Sequence, residues 1–171
     1  VKGQLMGSHI SLPFPSVGAT ENIMMAATIT KGKTIIENAA LEPEISDLAR
    51  SLNKMGAKIK IEKNGIIKIE GVKKLTKANH KIMSDRIVAG TFVIAAVMLN
   101  KNFEVQEVES CHLEALTSSL KEMGAKLKIK KNSIQIIPSK NLNGVKIQTA
   151  PYPGFPTDLQ AQIMALMSIS K

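Results

Sequence analysis

Met55-Gly56-Ala57-Lys58-Ile59-Lys60-Ile61 returns as Met123-Gly124-Ala125-Lys126-Leu127-Lys128-Ile129, so that Gly56 and Gly124 stand 68 residues apart. Upstream, Met24-Met25-Ala26-Ala27 matches Val93-Ile94-Ala95-Ala96. Downstream, Lys63-Asn64-Gly65-Ile66 matches Lys131-Asn132-Ser133-Ile134. Three matches in one order at so long a period mark a duplicated subdomain rather than a short solenoid repeat.

Working outward, each copy reads as the same string of elements. A short strand (8–12; 81–83) precedes an apolar helix (19–30; 86–99). A second strand follows (33–37; 103–107), then an amphipathic helix (43–55; 112–123). In the first amphipathic helix Ile45, Leu48, Leu52 and Met55 repeat on one helical face. Gly56 and Gly124 fall where a left-handed helix terminus wants glycine. A hairpin closes the unit, with strands 57–62 and 66–70 around a Lys63-Asn64-Gly65 turn. The unit is therefore β-α-β-α-β-β and the fold class α/β. A third copy is expected to begin with a strand at 145–149 and a helix from about Thr157. The polar stretch 76–84 carries no repeat signal and is the expected boundary, dividing the chain into 1–83 and 84–171. Two and a part units do not close a structure, so the chain is expected to be a piece of a longer one.

Composition limits the function classes. The 171 residues carry 23 Lys plus Arg against 14 Asp plus Glu, a net charge of +9. That balance admits nucleic acid or an anionic small molecule as partner. The lysines, however, alternate along strands as solvated faces do, and one Tyr, four Phe and no Trp make poor stacking platforms for a single strand. No apolar run reaches the roughly 18 residues of a membrane helix, and the start has no signal-peptide core. The single cysteine, Cys111, fits a reducing cytoplasm. It lies beside His112 with no partner at metal-ligand spacing, so it reads as structural and no metal is expected.

Three local patterns could carry chemistry. Ser16-Val17-Gly18-Ala19-Thr20 joins a strand to a helix, where free N–H groups favour an anion; the pattern alone equally fits an ordinary turn. Pro151-Tyr152-Pro153-Gly154-Phe155-Pro156 is a stiffened loop running into Thr157-Asp158-Leu159-Gln160, which has the Thr-x-x-Gln form of a capping box. Asp158 there either complements the helix dipole or serves as a base held on a rigid loop. Glu44, after Glu42-Pro43, and Asp85, before Arg86, both read as helix-start acids.

Four blocks, 14–24, 38–45, 85–92 and Pro151 to Gln162, resemble in order and spacing the signature blocks of the UDP-N-acetylglucosamine enolpyruvyl transferase family, and the resemblance covers essentially the whole chain. It implies an enolpyruvyl transferase fold, an inside-out α/β barrel of two domains with three such units each. Residues 1–83 would be the last unit of one domain and 84–171 the first one and a half units of the other. It implies transfer of the enolpyruvyl group of phosphoenolpyruvate to the 3′-hydroxyl of UDP-N-acetylglucosamine with release of phosphate, the first committed step of peptidoglycan precursor synthesis. It also implies a cytoplasmic location and no cofactor. By resemblance, Ser16, Val17 and Gly18 contact the nucleotide sugar with Phe14 and Pro15 flanking them, though some members have Lys where Phe14 stands. Asp158 accepts the hydroxyl proton beside Thr157, and Glu44 and Asp85 match carboxylates of the family's cleft. The family's Lys-Asn pair and its Cys-bearing Arg-Pro-Gly-Gly loop are missing from these residues, so the chain alone is expected to be inactive. Unpaired repeat faces favour self-association, with no nucleic-acid or membrane partner. The competing expectation is a non-catalytic module binding an anion or RNA through its positive charge; the shikimate-pathway sister enzyme shares the fold but not the blocks.

Overall fold

The computed structural model describes residues 3–139 and 141–171. The chain separates into two compact units, Val1–Met83 and Ser84–Lys171. Unit 1 runs β1 (His9–Ser11), α1 (Val17–Ala27), β2 (Lys33–Glu37), α2 (Pro43–Lys54), β3 (Lys58–Ile61) and β4 (Ile67–Glu70). Unit 2 runs α3 (Arg86–Met98), β5 (Phe103–Gln106), α4 (Glu114–Glu122), β6 (Lys126–Lys130), β7 (Ser133–Ile137) and α5 (Gln160–Met167).

In unit 1 the sheet order is β1-β2-β4-β3, with β1 parallel to β2 and the other pairs antiparallel. Period-two alternation sends Thr34, Ile36, Ile59, Ile67 and Ile69 inward, where they pack with Met24, Ile45 and Leu52 of the helices. Lys58, Lys60, Lys68 and Glu70 face outward. Unit 2 repeats the three-strand part as β5-β7-β6, with Ile134 and Ile136 packed against Val93, Ile94, Leu116 and Leu120. Gly56 and Gly124 close their helices at φ 99° and 97°, a conformation that costs glycine little. Both first helices are rich in apolar residues and leave some of them outside: α1 leaves Met25, and α3 leaves Val88 and Phe92, exposed.

Four expectations need correction. The stretch 81–83 is not a strand, because it has no ladder partner and Met83 N–H is given instead to Asp47 Oδ2 at 3.4 Å. The stretch 145–149 is not one either. Val145 and Ile147 rest against the unit 2 core, but only Thr149 makes a bridge, to Phe155, and a strand needs a ladder. The second amphipathic helix starts at Glu114 after a 3₁₀ turn, Ser110–Leu113, rather than at His112. The Thr-x-x-Gln capping box does not form. Leu159 N–H closes a 3₁₀ turn, Thr157–Leu159, on the Pro156 carbonyl at 3.2 Å, so Pro156 occupies the cap position with no side chain to donate or accept.

Candidate functional site

In unit 1 the predicted residues gather at two helix N-termini. Ser16 is extended, and its hydroxyl accepts from Ala19 N–H at 3.3 Å, which makes it the N-cap of α1. Val17 and Gly18 form the first turn; Gly18 is exposed, and a β-carbon there would meet nothing within 4 Å. Pro15 is half-buried and Phe14 is exposed, so the position flanking the turn offers an aromatic ring and no charge. Thr20 ties this end to the next helix: its hydroxyl donates to Ser16 O at 2.8 Å and accepts from Ala40 N–H at 3.0 Å, two residues before Glu42. Glu44 is half-buried in the first turn of α2. The residue the sequence reading passed over is Glu42. It is 8% exposed, and its Oε2 accepts no hydrogen bond from the described residues. Its place before a Pro-initiated helix suggested only helix-start chemistry; a buried carboxylate with an open acceptor is unusual for that role.

In unit 2, Asp85 caps α3, its Oδ1 accepting from Ile87 N–H at 2.8 Å and Val88 N–H at 3.0 Å. Arg86 follows and is buried, its guanidinium 5.8 Å from the centre of the Tyr152 ring. That contact joins the start of α3 to the proline loop before Asp158. Thr157 and Asp158 are both exposed on the 3₁₀ turn, while Phe155 and Leu159 on either side are buried and anchor it. Arg86 was missed because its partner lies 66 positions away; a lone arginine opening an apolar helix was the available signal. Cys111 is a free, exposed thiol; with His112, Arg86 and Tyr152 it lines a cavity of about 30 Å³, room for about one water.

The two units thus hold the predicted residues as two sets: Phe14 to Gly18 with Glu44, and Asp85 with Thr157 and Asp158. A larger hollow of about 450 Å³ lies elsewhere, on the outer face of the unit 1 sheet. Its polar lining is mainly Lys33, Lys58, Lys60, Lys68 and Glu70. Much of that charge is neutralised in place: Lys58 bonds Glu70 at 3.0 Å, and Glu62 takes Lys68 at 2.9 Å and Lys60 at 3.3 Å. These lysines hold the Glu62 and Glu70 carboxyls below the usual glutamate range. The hollow pairs no carboxylate with a stiffened loop or helix N-terminus, so size does not make it the site. No helix is long and apolar enough to cross a membrane among the described residues.

A sequence profile of EPSP synthase (3-phosphoshikimate 1-carboxyvinyltransferase) matches residues 1–171. A UDP-N-acetylglucosamine 1-carboxyvinyltransferase of Prochlorococcus marinus (strain MIT 9312) is 54% identical over 169 residues, covering 99% of this chain and 37% of the relative. A UDP-N-acetylglucosamine 1-carboxyvinyltransferase 1 of Clostridium perfringens is 52% identical over 171 residues, 98% of this chain and 41% of the relative. The chain thus spans about two fifths of the length of these relatives. Among solved structures, the enolpyruvyl transferase NikO from Streptomyces tendae superposes with a TM-score of 0.86 at 20% identity, over 98% of this chain and 43% of that one. An EPSP synthase from Acinetobacter baumannii gives 0.61 at 24% identity, over 85% and 34%. These structures share the enolpyruvyl transferase fold, here an incomplete set of its repeated units with no closed barrel, and the chain belongs to the EPSP synthase (3-phosphoshikimate 1-carboxyvinyltransferase) family.

Proposed function

We propose that the protein containing this chain transfers the enolpyruvyl group of phosphoenolpyruvate to the 3′-hydroxyl of UDP-N-acetylglucosamine, releasing phosphate. The observation that carries the reading is the 54% identity, across 99% of the chain, to a relative named for that transfer. The sugar oxygen bonds to the central carbon of phosphoenolpyruvate while a proton is added at its methylene carbon. The resulting ketal then loses phosphate and a proton. The first step needs a group to take the proton of the sugar hydroxyl, and Asp158 is the residue for it. It is an exposed carboxylate whose turn is pinned by buried Phe155 and Leu159, so it is accessible and positioned at once. The cap of α1, with Ser16, Val17 and Gly18, points backbone N–H groups outward and suits the nucleotide sugar, with Phe14 and Pro15 flanking it. Glu44 and Asp85 belong to the same chemistry through their helix N-termini. In this reading the protein works in the cytoplasm and supplies cell-wall synthesis, and through it cell shape and division.

The test is phosphate release from phosphoenolpyruvate by the full-length protein. Release should require UDP-N-acetylglucosamine, and Asp158→Asn should lower kcat about 10²- to 10⁴-fold. Release that needs shikimate 3-phosphate instead would replace the acceptor in this reading, and an unimpaired Asp158→Asn protein would remove the base.

A further inference from the structure

Helix α3 does more than fill the core of unit 2. At Gly90 an added β-carbon would stand 2.7 Å from Leu159 Cδ1 and 3.2 Å from its Cδ2, and 3.1 Å from Leu116 Cδ2. Leu159 is fully buried and directly follows Asp158. The missing side chain at position 90 is therefore the socket for the residue that anchors the Asp158 turn. One position on, the Thr91 hydroxyl gives its single proton to Ile87 O at 2.8 Å, so it can only accept, and Gln162 Nε2 donates to it at 3.0 Å. Gln162 lies one helical turn after Asp158. Two adjacent residues of α3 thus hold the chain at two points just after one exposed carboxylate, one by shape and one by a hydrogen bond of fixed direction.

We infer that Gly90 and Thr91 are positioning residues for the reaction: they touch no reacting atom and set where Asp158 stands. The inference rests on the reading of Asp158 as the proton acceptor. A carboxylate on a surface turn can be displaced without unfolding the protein, and displacement of a reacting group by about 1 Å can cost on the order of 10²-fold in rate. Thr91→Val keeps the shape and removes the acceptor. Gly90→Ala fills the socket and pushes Leu159 out.

The experiment is steady-state kinetics and thermal unfolding of the full-length protein carrying Thr91→Val, Thr91→Ser, Gly90→Ala, and Gly90→Ala with Leu159→Val. Thr91→Val should lower kcat about 10-fold, and Gly90→Ala about 10- to 100-fold, with KM for UDP-N-acetylglucosamine changed less than about twofold. Thr91→Ser keeps the hydroxyl and should restore most of kcat. Leu159→Val removes two of the three atoms nearest the new methyl, including the one at 2.7 Å, and should recover most of kcat in the double variant, including where Gly90→Ala alone fails to fold. A lowered melting temperature with kcat unchanged in Thr91→Val would overturn the inference, as would a folded double variant as slow as Gly90→Ala. Asp158→Asn separates the two readings. If it is slow while the α3 variants are normal, only the positioning role falls; if it is as fast as the parent, the base assignment falls first.

Discussion

Units 1 and 2 build the same three strands in the same order, yet they differ at both ends of the repeat. In unit 1 a fourth strand, β1, lies parallel to β2. Among the described residues no strand precedes α3 in the same place: the stretch before it is irregular, and its polar groups go to side chains, those of His80 and Met83 within unit 1 and that of Ser84 within unit 2. His80 Nε2 lies 3.1 Å from Asp47 Oδ2, Met83 N–H reaches the same oxygen, and Ser84 and Glu109 bond one another. The hairpins differ too. Ile61 pairs with Ile67, but its repeat mate Ile129 pairs with Ile134, so the second turn is one residue shorter than a 68-residue period requires. The extra residue in unit 1 is taken up at Gly65, which sits at φ 71° and whose carbonyl accepts from Ala39 N–H at 2.8 Å. A buried alternating face fixes register, and a turn adapts its length to deliver it.

The comparison breaks most readily in the cores. Leu52 and Leu120 are repeat mates, the first 7% exposed and the second fully buried. Leu→Ala at either should cost about 2–5 kcal/mol, with Leu120 nearer the upper end because nothing can collapse into its cavity from solvent; urea unfolding measures both. Next come the turns. Gly65→Ala meets both the positive φ and a carbonyl, Ala39 O, 2.8 Å from the new carbon, and should cost about 2–3 kcal/mol. Gly56→Ala has the same φ problem in open space and should cost about 1 kcal/mol. The smallest effect sharpens the linker contrast. Burial alone would raise the Asp47 carboxyl, but hydrogen bonds from His80, Arg50 and Met83 N–H outweigh it and hold the group below the ordinary aspartate range. Its stabilisation is present above the unfolded value of about 4 and is lost as pH falls through the lower folded value. Asp47→Asn should therefore cost about 1–2 kcal/mol at pH 7, a difference that shrinks as pH falls below the unfolded value in the same unfolding measurement.

Much of this architecture was legible in the residues, and the exceptions have physical reasons. Helix-ending glycines and alternating strands are local signals, so both hairpins and all the major helices were readable. The one-residue slip was not, because Lys-Asn and a following Ile align without a gap and only the cross-strand partner reveals it. The stretches 81–83 and 145–149 look like strands by alternation, but pairing depends on what lies beside them, which no window of sequence contains. Among site residues, Asp85 reads as a helix-start acid and caps α3, whereas Ser16 reads only as part of a strand-to-helix turn and proves to be the cap of α1. Arg86, Glu42 and the Gly90 socket depend on partners dozens of positions away. The capping-box pattern at Thr157 misled because Pro156 supplied the turn first.

The placement of lysines in the two sheets has a consequence for how the protein behaves in a crowded solution. β3 and β6 each form one edge of their sheet, and side chains cover part of each edge: Asn53 accepts from Ile59 N–H and donates to Ile59 O, both at 2.8 Å, and Ser139 Oγ accepts from Lys126 N–H at 2.9 Å. Lys58 and Lys60 line the first and Lys126, Lys128 and Lys130 the second. A foreign strand adding there would have to bury or crowd these ammonium groups, so both margins resist fibre-like growth. The lysines on these strands thus guard the sheet edges, even where a glutamate beside them takes up their charge.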